Sequence, residues 1–167
     1  MTPFRFEHVF RAHSVDELFA AYFDDAHQAE QDRVLEIASR EILERTELSR
    51  VCRVTPRRQL PGFVQALLHG PLHYVETVTW RRDRDELAIE LRPSLSRVQI
   101  SVTYGLEQVG PRAIRRRYAG AVSVDIALVG GRLERGIVAD LAQSLPRAAG
   151  CTQAWLDRIP LSVAARA

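Results

Sequence analysis

The chain has 167 residues, 46% hydrophobic and 26% charged, values typical of a single globular domain spanning residues 1–167. No apolar run approaches the ~20 residues that cross a bilayer. The first residues also lack the uninterrupted apolar stretch of a signal peptide, so we expect a cytoplasmic protein. The net charge of +2 argues against a nucleic-acid partner, and two distant cysteines indicate neither a disulfide framework nor a zinc site.

The N-terminal region predicts a strand followed by two short helices. Its inward side chains alternate with outward ones in the period of a half-buried strand: Phe4, Phe6, His8 and Phe10. Ser14 and Glu17 have the spacing of a capping box, in which the hydroxyl accepts from the Glu17 amide and the carboxylate accepts from the Ser14 amide. Asp24 and Asp25 predict the start of a second helix over residues 26–33.

The next segment leaves two structures open. Residues 34–48 contain good helix formers, but their apolar residues follow no clear period, so neither a helix nor a strand is excluded. Residues 49–57 alternate and predict a strand that ends at Pro56. Pro61 predicts the start of a short helix that stops at Gly70.

Four strand-like segments follow, separated by short turns. Their inward faces carry Leu72, Tyr74, Glu76, Val78 and Trp80; Leu87, Ile89 and Leu91; Val98, Ile100, Val102, Tyr104 and Leu106; and Ile114, Arg116, Tyr118, Gly120, Val122, Val124 and Ile126. Short turns join antiparallel neighbours, so these segments predict a curved antiparallel sheet with one apolar face. In the basic run at residues 115–117, only the middle arginine points inward.

The last forty residues, 128–167, predict one long amphipathic helix, and a tight turn at Gly130 and Gly131 reverses the chain from the last strand into it. The residues of its mainly apolar stripe recur every three or four positions: Leu133, Ile137, Leu141, Leu145, Ala148, Thr152, Trp155 and Ile159. Pro146 predicts a kink or break at residues 142–145. The stripe needs an apolar surface of similar length, and the sheet supplies one.

Three stretches carry a resemblance to a known family. Residues 124–134 are similar to the "VPLVGGKLE" motif of a bacterial subfamily of unknown function, with departures at Asp125 and Ala127. Leu60-Pro61 and residues 70–80 are similar to the same subfamily. The order of elements resembles the START-like or helix-grip superfamily, which includes birch-pollen-allergen-like proteins and polyketide cyclases.

The resemblance implies an α+β helix-grip fold, in which a curved antiparallel sheet wraps around a long C-terminal helix and two short helices follow the first strand. It makes residues 37–46 a strand that pairs with residues 49–57. It also implies a cavity between the sheet and the helix, where an apolar or amphipathic ligand sits.

Twelve inward-facing residues are therefore the candidate ligand-binding residues: Tyr74, Glu76, Val78, Ile89, Val102, Tyr104, Arg116, Tyr118, Val122, Ile137, Leu141 and Leu145. A Glu76–Arg116 pair with tyrosines nearby would orient a ligand that has one polar end. The alternatives are a structural ion pair, side chains turned outward by a bulge, and tyrosines whose hydroxyls reach solvent at the rim of the sheet.

The leading hypothesis is binding of a hydrophobic or amphipathic small molecule, lipid-like or aromatic. One alternative is a cyclase-like or hydratase-like enzyme with Glu76 as acid or base. Another is a structural or interaction module whose cavity is filled by side chains such as Trp155.

We expect no cofactor and no metal, because the sequence has no phosphate-binding loop, dinucleotide fingerprint or metal spacing. His13 and His27 are predicted to face solvent.

Overall fold

The sequence folds into one antiparallel sheet, two short helices and a long C-terminal helix. The structure is a computed structural model that describes residues 1–57, 72–94 and 97–158. Its strands are β1 (Thr2–Phe10), β2 (Ile37–Arg45), β3 (Ser49–Pro56), β4 (Tyr74–Arg81), β5 (Glu86–Pro93), β6 (Val98–Gly110) and β7 (Ala113–Val124). Its helices are α1 (Val15–Phe23), α2 (Asp25–Val34) and α3 (Gly130–Leu156), with a 3-10 turn at Arg82–Arg84. The helix predicted from Pro61 to Gly70 lies outside the described residues.

The seven strands form one sheet in the order β1-β7-β6-β5-β4-β3-β2. The pairs β4–β5, β5–β6 and β6–β7 are antiparallel, as the short turns predict. The pairs β1–β7, β2–β3 and β3–β4 are antiparallel as well. The predicted α+β architecture is confirmed, with two short helices between β1 and β2 and a long helix after β7. None of the helices in the described ranges combines the length and the hydrophobicity that a membrane-spanning helix needs.

The segment that the sequence left open is a strand. Ile37–Arg45 pairs with Ser49–Pro56, as the family resemblance implies. The turn between them contains no glycine. Instead, the Thr46 hydroxyl accepts hydrogen bonds from the amides of Leu48, at 3.3 Å, and Ser49, at 3.0 Å, so a side chain stabilises the reversal.

Both short helices begin at capping residues. The Ser14 hydroxyl accepts from the Glu17 amide at 3.3 Å, as predicted, and the Asp24 carboxylate accepts from the His27 amide at 2.9 Å. The predicted return bond from Glu17 to the Ser14 amide is wrong. The Glu17 carboxylate instead accepts from the amide of His13, one residue earlier, at 2.8 Å.

The long helix begins with the glycines rather than after them. Gly130 is its first residue, and the reversal is made by Leu128, whose φ of 67° lies in the left-handed region. Gly130 is needed for close approach, because an added Cβ would lie 2.4 Å from the carbonyl oxygen of Val124. The helix continues unbroken through Pro146, so the predicted break is absent; proline removes one hydrogen bond of a 27-residue helix.

A buried carboxylate fixes the start of α3 against the sheet. Glu134 is 5% exposed and accepts hydrogen bonds from the Thr2 hydroxyl at 2.7 Å and the Val124 amide at 2.9 Å. These hydrogen bonds, with the amino group of Met1, lower the pKa of Glu134 to about 2. The helix is thereby placed across the sheet, and Leu145, Ala148 and Thr152 on its stripe are buried.

Candidate functional site

A cavity of about 420 Å³ lies between the sheet, α2 and α3. Its walls include side chains from α2, from strands across the sheet and from α3, so the helix lies on the concave side of the sheet. Eight of the twelve candidate residues line it: Tyr74, Glu76, Tyr104, Arg116, Tyr118, Ile137, Leu141 and Leu145. Trp155 is not among the described residues of its wall.

Four candidates are buried away from the cavity. They are Val78 and Val122, both fully buried, Ile89, 2% exposed, and Val102, 5% exposed. All four belong to the core cluster that also contains Leu18 and Phe19 of α1. Their inward orientation follows from the alternation of the strands, but the part of the concave face that they occupy is packed as core. Strand alternation does not distinguish these two environments.

Glu76 forms an ion pair on the cavity wall, but its partner is not Arg116. Its carboxylate lies 2.7 Å from Nη1 of Arg40, and these side chains are 12% and 11% exposed. Nε of Arg40 also lies 3.0 Å from the Asp32 carboxylate. The predicted Glu76–Arg116 pair is wrong, because β4 and β7 are separated by β5 and β6 in the sheet. Three strand spacings put about 14 Å between the backbones of β4 and β7, whereas Arg40 on β2 is only two spacings from Glu76.

A second arginine lies behind Glu76. Arg50 is 1% exposed, and its Nη2 donates to the Gln28 amide oxygen at 2.8 Å and lies 3.9 Å from the Glu76 carboxylate. Its guanidinium carbon lies 5.5 Å from the ring centroid of Tyr22. We call Asp32, Arg40, Arg50 and Glu76 the acid–arginine cluster. No sequence pattern indicates it, because Arg40 lies within the segment whose structure was left open and Asp32 lies just before that segment.

The tyrosines of the cavity wall remain protonated at neutral pH. Burial and the negative charge of Glu76 raise the pKa values of both Tyr74 and Tyr118. Burial also raises the pKa of Tyr104, whose ring meets that of Tyr118 edge to face at a centroid distance of 6.1 Å. These phenols are hydrogen-bond donors, the form in which a ligand carbonyl or carboxylate is recognised.

Arg116 lies toward the β1 side of the cavity. It is 4% exposed, as its inward parity predicts, while the side chains of Arg115 and Arg117 are 35% and 45% exposed. Its Nη2 donates to Nδ1 of His8 at 2.8 Å. Burial and the positive charge of Arg116 lower the pKa of His8, so the imidazole is neutral at neutral pH and accepts this bond.

His27 is buried at 2% exposure, so the prediction that it faces solvent is wrong. Its Nδ1 donates to the Ala21 carbonyl at 2.6 Å, and its Nε2 lies 3.2 Å from the Thr152 hydroxyl. Burial lowers its pKa. The histidine therefore joins α1 and α2 to α3 beside the cavity. A capped helix of ten residues has too short a periodic pattern for this role to be predicted.

The described residues contain no group of three His, Cys, Asp or Glu side chains that could hold a metal ion. Cys52 is buried and Cys151 half-buried, and both are free thiols. The polar groups of the cavity wall include arginine, carboxylate and phenol groups together with imidazole, amide and hydroxyl groups, set in an apolar surface.

Comparisons with known proteins support the same fold. A family model described as "Protein of unknown function (DUF2505)" matches residues 5–156. No curated protein matches the sequence.

Among solved structures, TTHA0849 from Thermus thermophilus is similar over 99% of both chains, with 12% identity and a TM-score of 0.67. The Zhui aromatase/cyclase from Streptomyces sp. R1128 is similar over 93% of both chains, with 10% identity and a TM-score of 0.65. A START superfamily protein from Mycobacterium smegmatis is similar over 96% of this chain and 100% of that one, with 11% identity and a TM-score of 0.63. These similarities confirm the START-like helix-grip fold.

Proposed function

The chain belongs to the DUF2505 family, and from the cavity of its helix-grip fold we propose that it binds a hydrophobic or amphipathic small molecule between the sheet and α3. The observation that carries this proposal is the cavity itself. Its volume of about 420 Å³ falls within the roughly 300–1,000 Å³ range of small-molecule sites. Its wall combines apolar side chains from both layers with a few polar groups, the composition typical of such sites.

The fold neighbours support the proposal at the level of architecture. One of them is named as an aromatase/cyclase and another as a START superfamily protein. Our proposal is binding rather than catalysis, because Glu76 is engaged by Arg40 at 2.7 Å and is not placed as an unpaired acid or base. A filled-core module does not fit an open cavity of this size. The single-domain organisation and the cytoplasmic location stay predictions.

The affinity follows from the apolar surface available. Burying about 300 Å² of ligand apolar surface at ~25 cal/mol per Å² contributes about 7 kcal/mol before the entropy of association is lost. We therefore expect micromolar or weaker binding for a purely apolar ligand. Polar contacts between the ligand and the phenols or arginines would make binding tighter than this.

Binding is tested with N-phenyl-1-naphthylamine, an uncharged fluorophore whose emission rises in apolar surroundings. We expect saturable binding to the native protein. Ile137 and Leu141 line the cavity from successive turns of α3, so the double variant Ile137→Trp/Leu141→Trp should fill it and weaken binding at least tenfold. Fluorescence titration, checked by calorimetry, measures the dissociation constants of the native protein and of the double variant.

Gln143→Trp is the matched control, because it adds the same ring at an exposed position of the same helix. It should change the dissociation constant less than twofold. The proposal is overturned if the native protein shows no saturable binding, or if the double variant binds the fluorophore as tightly as the native protein does.

A further inference from the structure

Arg116 is a buried cation on the cavity wall, and its contacts among the described residues carry no negative charge. It is 4% exposed, and its guanidinium carbon lies 4.9 Å from the ring centroid of Phe10 and 5.6 Å from that of Tyr104. Its hydrogen-bond partner His8 is a neutral imidazole, because burial and the arginine itself lower the pKa of His8. These contacts orient the guanidinium but do not neutralise it.

No acidic side chain neutralises Arg116 either. All 21 Asp and Glu residues of the sequence fall within the described ranges, and the ion pairs found there do not include Arg116. Its buried Nε has no hydrogen-bond partner among those residues. A buried charge that lacks a counter-charge is costly, and such a group commonly serves a ligand.

The other buried arginines show that this fold can neutralise a guanidinium. Arg40 is held by both Glu76 and Asp32, and Arg50 shares Glu76. The lack of a carboxylate partner at Arg116 is therefore a property of its place in the cavity and not of buried arginines in this fold. A guanidinium presents a planar fork of N–H donors, and this fork matches a carboxylate in charge and geometry.

We infer that the molecule bound in this cavity is an apolar acid whose carboxylate pairs with Arg116. The inference rests on the proposed function and adds the sign and position of the ligand's polar end. The phenol of Tyr118 lies on the same strand two residues away and on the same cavity wall, so it supplies a second donor toward that carboxylate. The apolar chain of the acid then extends along Ile137 and Leu141.

Three ligands of equal chain length and different head charge test the inference: decanoate, 1-decanol and decylamine. Calorimetry at neutral pH below micelle-forming concentrations gives their dissociation constants. We expect decanoate to bind native protein at least tenfold more tightly than decanol, and decylamine to bind more weakly than both. Arg116→Met should bring decanoate to the affinity of decanol while changing decanol binding less than twofold. Arg116→Lys, which keeps the charge but loses the fork, should retain part of the preference.

Arg117→Met is the control variant. It removes a neighbouring arginine that lies on the opposite face of β7, 45% exposed and 3.0 Å from Glu107, and it should leave the preference for decanoate unchanged. The inference is overturned if native protein binds decanol as tightly as decanoate, if decylamine binds best, or if Arg116→Met and Arg116→Lys both keep the full preference. In each of those results at least one of the three ligands still binds, so the proposed cavity function survives. Failure of all three ligands overturns the proposed function itself, and the inference with it.

Discussion

Buried arginines have different partners on the two sides of the cavity. On the β2–β4 side, Arg40 and Arg50 meet the carboxylates of Glu76 and Asp32. On the β1–β7 side, Arg116 meets an imidazole and two aromatic rings. In the first arrangement two carboxylates balance the charges of two arginines, and the ion pairs join α2 to the sheet. The second leaves a positive charge without a carboxylate at the cavity wall. We therefore propose different roles for the two sides: one supports the fold and the other binds the ligand.

The largest expected effect on stability comes from removing a carboxylate of the acid–arginine cluster. Glu76→Gln removes the carboxylate that faces both Arg40 and Arg50, and it should lower the free energy of unfolding by about 3 kcal/mol, because buried Arg50 loses its counter-charge and Arg40 keeps only Asp32. Urea denaturation measures this loss. Glu90 is an exposed residue of β5 that pairs with Arg92 of the same strand, so Glu90→Gln is the control and should change stability by less than about 0.5 kcal/mol. Equal effects of the two substitutions would contradict the role of the cluster in supporting the fold.

A direct comparison of the two sides uses the same substitution in each. Arg40→Met should cost about 3 kcal/mol, because it leaves Glu76 and Asp32 without their closest cation. Arg116→Met should change the free energy of unfolding by no more than about 1 kcal/mol, because no carboxylate loses a partner. Paired urea denaturation curves measure both. A loss at Arg116 as large as that at Arg40 would mean that Arg116 also supports the fold.

The smallest expected effect is on the titration of His8. Its pKa lies below 6.5 in the native protein because burial and the charge of Arg116 disfavour the imidazolium. Since the folded pKa is lower than the unfolded one, the contribution of His8 to stability is present above pH 6.5 and is lost as the pH falls through the folded pKa. Arg116→Met should raise the pKa of His8 toward 6.5, as measured by NMR titration of the imidazole.

The control for this titration is Arg117→Met, which removes an arginine that points away from His8 and should leave the pKa of His8 where it is. If the pKa of His8 moves equally in both variants, the charge that His8 senses is the general charge of the strand and not the buried guanidinium.

The sequence determined the face of each strand and the stripe of the closing helix. Strand alternation has a period of two residues, so it places Tyr74, Glu76 and Arg116 on the concave face without reference to the rest of the chain. The apolar stripe of α3 follows from helical periodicity in the same way. The choice of strand for residues 37–45 needed the family resemblance, because the Thr46 hydroxyl, and not a glycine, makes the turn.

Only the tertiary structure decided which side chains meet. Arg40 reaches Glu76 because β3 alone separates their strands, while Arg116 is three strands from Glu76. The order of strands in a sheet is set by long-range pairing, which local alternation does not encode. The same holds for the boundary between packed core and cavity: Val78 and Tyr74 share one face of β4, and only the position of the helices over the sheet decides that one is buried and the other lines an open site.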